Sequence, residues 1–284
     1  MTGCNKERLI GKKSRLVFLF SRRRFIMNKT KVWAHRGASG WDKQYAPENT
    51  MVAFQKALEM GADGIEFDVQ LSKDGHLVIA HDERLERVSD GIGWLKDYTL
   101  QELKQFSFNK THAEYGYVPI PTLEELLQWM QSNAITMNIE IKTGMIYYPN
   151  IEEKTVALVE KFAMQQRVLY SSFNHYSLKK IKDLDKTAKI GLLCDEDFID
   201  IPIYPATLAA DAIHPSISIA QKNGFIEKCH KENLKVHVWT VDVKTDMKWL
   251  CESGVDAIFT NCPDHARKIA DGDYSVIPQY LNKI

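Results

Sequence analysis

From residue 31 onward, short apolar segments alternate with amphipathic ones, and this alternation constrains the fold more than any other feature of the chain. Segments at 32–36, 64–70, 136–142, 167–172, 189–194, 211–214, 235–241 and 256–260 have the length and composition of buried strands. Helical patterns at 49–60, 122–132, 151–165, 175–185, 220–232, 244–252 and 263–271 fill the intervals. Strand and helix in regular succession imply a parallel α/β sheet. Eight parallel strands over roughly 250 residues are the arithmetic of a (β/α)8 TIM barrel.

A ninth apolar segment, 77–81, follows the second strand too closely to be its parallel neighbour. It is expected to return antiparallel, with Asp74-Gly75 as a two-residue turn, Lys73 opposite His76 and Asp68 opposite His81. Residues 82–121 then break the alternation and form an insertion after this hairpin, too long for an ordinary loop. It carries Trp94, Tyr98, Phe106, Phe108, Tyr115 and Tyr117, which could build a small core of its own. An Asp-Gly/Ala-Ile step recurs at Asp63, Asp211 and Asp256 and is read as shared loop chemistry, not as an internal repeat.

The formal net charge is zero, so nucleic acid is not expected as a partner, but the zero hides an asymmetry. Residues 1–26 hold eight Lys/Arg against Glu7, a net of +7 that the remainder balances. Within them, Leu16–Phe20 is an apolar run of five, too short for a signal peptide or a membrane helix. Residues 1–28 are therefore expected to be a basic, disordered extension, with weak contact to an anionic membrane as the sharper alternative. Residues 29–284 are expected to form a single domain. The five cysteines are odd in number and lack paired metal spacing, which points to reduced thiols in a cytoplasmic protein.

Polar residues gather where the strands would end: His35-Arg36, Glu66-Phe67-Asp68, His81-Asp82 and Glu140-Ile141-Lys142. Residues two apart on a strand share a face, so Glu66 points with Asp68 and Glu140 with Lys142. Three carboxylates aimed at one point raise one another's pKa and call for a cation. Oxygen-only ligands suit one hard divalent ion, Mg²⁺ or Ca²⁺, held by Glu66, Asp68 and Glu140. Without metal, Arg36 and Lys142 would neutralise the cluster instead.

These residues carry a family resemblance. His35-Arg36-Gly37, Ala46-Pro47-Glu48-Asn49-Thr50, Glu66-x-Asp68-Val69-x-Leu71, Lys73-Asp74-Gly75, His81-Asp82, Pro121-Thr122-Leu123, Glu140-Ile141-Lys142, Val238-Trp239-Thr240 and Asp256-x-Ile258-x-Thr260-Asn261-x-Pro263 run in order over roughly residues 31 to 270. The pattern resembles the glycerophosphodiester phosphodiesterase family. The resemblance implies metal-dependent hydrolysis of deacylated phospholipids to sn-glycerol 3-phosphate and an alcohol. It implies His35 and His81 as the acid/base pair, and an insertion that caps one side of the mouth and helps receive the glycerol end. Arg36 and Lys142 suit the phosphate, as a planar fork and a point charge.

Trp239 and, more weakly, Phe173 are expected as walls for the glycerol moiety. Glu48 either begins a helix capped at Asn49 or contacts His35 or Arg36. Asp82 either orients His81 or only ends the strand, and His214 and His237 fall on expected strands. Two rival functions stand beside this reading. One is lysophospholipase D-type cleavage, which needs an apolar groove; the other is a non-catalytic barrel that binds phosphate esters.

Overall fold

The computed structural model of the chain describes residues 29–40, 45–196 and 201–278. The extension expected at residues 1–28, including Cys4, lies outside them. Among the described residues nine strands form one sheet: β1 (Lys31–Ala34), β2 (Gly64–Leu71), β3 (Leu77–Ile79), β4 (Thr136–Ile141), β5 (Val168–Ser172), β6 (Lys189–Cys194), β7 (Ala212–Pro215), β8 (Lys235–Val238) and β9 (Ala257–Thr260). All pair in parallel except β3, and β9 closes on β1 to complete the eight-stranded barrel. The helices are α1 (Met51–Glu59), α2 (Leu100–Leu103), α3 (Leu123–Met130), α4 (Ile151–Lys161), α5 (His175–Leu184), α6 (Ile217–Ala220), α7 (Phe225–Lys231), α8 (Lys244–Glu252) and α9 (Pro263–Ala270). The helix expected over 220–232 is thus split, because Gly224 takes a left-handed φ of 72° between α6 and α7.

Alternation along β2 sorts its side chains into two environments. Ile65, Phe67, Val69 and Leu71 join Phe54 and Ala57 of α1 and Leu123, Leu126, Leu127 and Met130 of α3 in the main core. Burying each of the large side chains among these stabilises the fold by about 1.5–3 kcal/mol. Glu66, Asp68 and Gln70, on the other face, are buried and polar within the barrel. Toward the amino-terminal end the interior is apolar, with Trp33, Leu169, Ala257 and Phe259 packed together. Polarity inside the barrel therefore rises toward the carboxyl ends of the strands.

The recurring aspartates do share one task. Asp63 Oδ2 accepts from Val32 N at 2.8 Å, Asp211 Oδ2 from Ile190 N at 3.0 Å, and Asp256 Oδ2 from Val236 N at 2.9 Å. Each carboxylate ties its loop to the start of an adjacent strand, so the repeat is loop chemistry. Among the described residues Cys194, Cys229 and Cys262 are buried, Cys251 is half-buried, and none is disulfide-bonded.

The hairpin departs from expectation by one residue. Val69 pairs with Ile79, Gln70 with Val78 and Leu71 with Leu77, so Asp68 lies opposite Ala80 and not His81. The loop has three residues, since Ser72 N donates to His76 O at 3.0 Å and Gly75 N to Ser72 O at 2.9 Å. Gly75 holds a φ of +79°, the left-handed position of a three-residue hairpin loop. Ser72 Oγ fastens this turn to Asp74 Oδ1 and to His76 N. Because β3 ends at Ile79, His81 is carried by the following turn and still reaches the mouth.

The insertion forms its own core: Leu85, Val88, Leu95, Leu103, Phe108 and Ile120 pack with Val78 and Ala80, and Tyr98 and Phe106 lie against them. Trp94 and Tyr117 stay exposed, and Tyr115 Oη donates to Tyr45 O. The insertion caps one side of the barrel at the end of β2, where β3 pairs with it and β1 has already stopped at Ala34.

Candidate active site

Most site residues stand at or just past a strand's carboxyl end, where barrel enzymes place their chemistry, while Glu66 lies within β2. His35 and Arg36 follow β1, Glu66 and Asp68 lie on β2, Glu140 and Lys142 end β4, and Trp239 follows β8. His35, Arg36, Glu66, His81, Glu140, Phe173 and Trp239 line one cavity of about 90 Å³. A larger cavity, about 560 Å³, opens at the opposite end among Lys31, Lys189 and Lys235. None of the acid/base or carboxylate residues reaches it.

Glu66, Asp68 and Glu140 offer carboxylate oxygens within 4.8 Å of one another. Burial, then the charges of Asp68 and Glu140, hold Glu66 well above the usual carboxylate range. Burial and Asp68 push Glu140 the same way. Burial also opposes ionisation of Asp68, but His81, Lys142, Arg36 and the Asn49 hydrogen bond outweigh it and hold Asp68 low. Lys142 Nζ donates to Glu140 Oε1 at 3.1 Å and stands 3.6 Å from Asp68 Oδ1. That buried Oδ1 has no hydrogen-bond partner. An all-oxygen trio, two members of which resist ionisation and one of which keeps a free lone pair, fits a hard divalent cation.

Arg36 serves this cluster twice. Its backbone is left-handed, with φ 54°, and its N–H donates to Glu66 Oε2 at 2.8 Å. Its guanidinium donates to Glu48 Oε1 at 3.0 Å, while Nε is buried without a hydrogen bond, 3.9 Å from Asp68 Oδ2. Asn49 does not cap α1 as expected; Thr50 does, accepting from Ala53 N at 3.3 Å. Asn49, at φ 56°, instead gives Nδ2 to Asp68 Oδ2 at 2.9 Å. Glu48 likewise acts as a contact of Arg36.

The two histidines are oriented through Nδ1. His35 Nδ1 meets Asn261 Oδ1 at 2.9 Å. Asn261 is turned this way because its Nδ2 donates to Asp242 Oδ2 at 2.6 Å and its N–H to Asp242 Oδ1 at 2.8 Å. An amide oxygen only accepts, so Nδ1 carries the proton and Nε2 is the free ring nitrogen. Burial, then the Arg36 charge, push His35 down to about 3, which keeps the ring neutral.

His81 Nδ1 donates to Asp82 Oδ1 at 2.7 Å. Asp82 is partly buried, yet bonds from His81 and Arg87 hold its carboxyl below the usual range. Arg87, from the insertion, bonds Asp82 through Nε and through Nη2 at 3.0 Å. It also grips Glu48, whose carboxyl is held down at about 2: burial opposes ionisation, and bonds and charges of Arg87 and Arg36 overcome it. A chain of bonds, Arg36–Glu48–Arg87–Asp82–His81, thus ties the two sides of the mouth together.

Trp239 and Phe173 meet edge to face at 5.5 Å and form the apolar wall. Trp239 Nε1 donates to His214 O at 2.7 Å, and the Trp239–Thr240 peptide is cis. No residue of 82–121 lines the cavity; the insertion meets the site through Asp82, which bonds His81, and Arg87, which bonds Glu48. The expected site residues come together here: His35, Arg36, Glu66, His81, Glu140, Phe173 and Trp239 line the cavity, Asp68 and Lys142 stand against its charged groups, and Glu48 and Asp82 bond Arg36 and His81. Sequence reasoning missed Arg87 and Asn49, and Asn261 and Asp242 as the support of His35. The Thr260-Asn261-x-Pro263 motif was a signal for Asn261; Arg87 sits in irregular chain with none.

Comparisons with known proteins point one way. The model of the glycerophosphoryl diester phosphodiesterase family matches residues 35–265. A glycerophosphodiester phosphodiesterase of Caldanaerobacter subterraneus is 42% identical over 83% of this chain and 96% of its own length. One from Bacillus subtilis is 34% identical over 84% of this chain and 86% of its own. Among solved structures, a phosphodiesterase of Oleispira antarctica in complex with the product sn-glycerol-3-phosphate superimposes with a TM-score of 0.73 at 28% identity, covering 85% of this chain and 96% of that one.

Proposed function

The chain belongs to the glycerophosphoryl diester phosphodiesterase family, a phosphoric diester hydrolase of glycerophosphodiesters, and on that premise we propose how its residues divide the reaction. One observation carries the proposal: His35 and His81 each have Nδ1 tied to an acceptor, leaving Nε2 free beside the carboxylate trio. One imidazole takes the proton of the attacking oxygen, and the other gives a proton to the leaving alkoxide. Arg36 and Lys142 would bind phosphate oxygens and offset charge that builds up on them. Trp239 and Phe173 pack against the carbon face of the glycerol unit. Glu48 and Asp82 position Arg36 and His81.

Glu66, Asp68 and Glu140 would hold one divalent cation, Mg²⁺ or Ca²⁺, which when bound supplies Lewis-acid polarisation of the phosphoryl group. We place the protein in the cytoplasm, in keeping with the lack of disulfide bonds among the described cysteines. Among the described residues, no helix is long and apolar enough to cross a membrane. The basic segment 1–28 would add weak contact with anionic lipid.

The test is release of glycerol 3-phosphate from glycerophosphocholine with Mg²⁺, with Ca²⁺ and with chelator. Metal-dependent release is expected. No release under any condition, or undiminished release with chelator, would overturn the proposal.

A further inference from the structure

Below the carboxylates the cavity has a polar floor that the proposed reaction does not use. Asn138, Ser171 and His214 line it and are buried. Asn138 Nδ2 donates to Ser171 Oγ at 2.7 Å, which fixes the amide and leaves Oδ1 as the free atom. His214 Nε2 faces His237 Nδ1 at 3.0 Å, which leaves Nδ1 free. Both free atoms are buried without a hydrogen-bond partner, an arrangement that costs stability unless a ligand or water completes it.

We infer that Asn138 Oδ1 and His214 Nδ1 form a subsite for the terminal hydroxyl of the substrate's glycerol unit, the one farthest from phosphorus. This inference rests on the function proposed above. A hydroxyl both donates and accepts, so it can give its proton to Asn138 Oδ1 and take a bond from His214 Nδ1–H. Depth selects which hydroxyl. Asn138 precedes Glu140 by two residues on β4, about 7 Å further down the strand. With phosphate held beside the carboxylates, the terminal hydroxyl reaches that level, whereas the 2-hydroxyl stays next to phosphorus.

The floor is also closed. A Cβ at Gly191 would lie 2.1 Å from His214 Nε2, so His214 is packed directly on the β6 backbone. Phe259 also packs on its ring, with centroids 5.1 Å apart. An acyl chain in place of the terminal hydroxyl's proton would have nowhere to run and would leave Asn138 Oδ1 without a donor. The subsite therefore selects deacylated glycerol.

The experiment compares kcat/KM for sn-glycero-3-phosphocholine with that for its 1-deoxy counterpart, 2-hydroxypropyl phosphocholine, which keeps the 2-hydroxyl. The intact protein should prefer the glycerol substrate by at least about tenfold. In Asn138→Ala, or in His214→Met of similar bulk, the ratio should shrink to about threefold or less. Equal rates in the intact protein would overturn the subsite while leaving the proposed reaction standing. A preference that survives in both folded variants would overturn it too. Cleavage of neither substrate would remove the proposed function itself and this inference with it. Should both variants fail to fold, the ratio in the intact protein decides.

Discussion

Arg87 and Glu48, 39 residues apart in the chain, are joined by two hydrogen bonds of 2.7 Å, Nη1 to Oε2 and Nη2 to Oε1. The pair connects the insertion to the loop before α1 and holds Glu48 against Arg36. Paired, coplanar bonds of this kind need a guanidinium. Arg87→Lys should therefore behave nearly as badly as Arg87→Ala, each lowering kcat/KM by about 10–100-fold, the scale of losing a group that orients a site. Full activity in Arg87→Lys would show that charge alone suffices.

His35→Ala and His81→Ala should each reduce turnover at least about 10²-fold, the usual scale for a general acid or base. Circular dichroism should show both variants folded. Either variant retaining the parent rate under saturating substrate would remove that histidine from the proton path.

Acid should weaken the fold through identifiable groups. His35 is held at about 3 against its ordinary 6.5, so between those values the unfolded chain carries a proton that the folded chain lacks. Stability then falls as pH drops through that window. Glu48 adds the same trend lower down, between its ordinary 4.5 and about 2. The Tm of the intact protein should decline below pH 6.5, and His35→Asn should decline less between pH 6.5 and 4. Parallel Tm curves from calorimetry would contradict this.

Glu66 and Glu140 work in the opposite direction, because burial and Asp68 raise both. In metal-free protein their stabilising contribution is present below the ordinary 4.5 and is lost as pH rises toward the folded values. Added Mg²⁺ or Ca²⁺ should therefore raise Tm more at pH 8 than at pH 5. Glu66→Gln should raise the metal-free Tm at pH 8, yet need about tenfold more metal for half-maximal activity. A lowered metal-free Tm would mean that the Glu66–Arg36 bond outweighs repulsion among the carboxylates.

Gly191→Ala tests the packing of the barrel floor, since the added methyl would sit 2.1 Å from His214 Nε2. Overpacking of a filled interior should cost about 1–3 kcal/mol. Denaturant melts would read this as a lower midpoint at unchanged slope.

The eight barrel strands, the hairpin's return arm and the convergence of His35, Glu66, Asp68, His81 and Glu140 could all be read from the chain. Those features follow from local rules: side chains alternate along a strand, and barrel sites gather where strands end. The finer arrangement was decided elsewhere. Gly75 in a left-handed conformation made the hairpin loop three residues long and moved the pairing by one, a choice that Asp-Gly alone does not make. Arg87 found Glu48 and Asp82 only because the insertion folds on its own core. The tautomer of His35 was set by Asn261, itself turned by Asp242, and those partners lie more than two hundred residues along the chain. Hydrogen bonds between distant segments depend on the closure of the barrel, and no local pattern encodes which donors and acceptors that closure brings together.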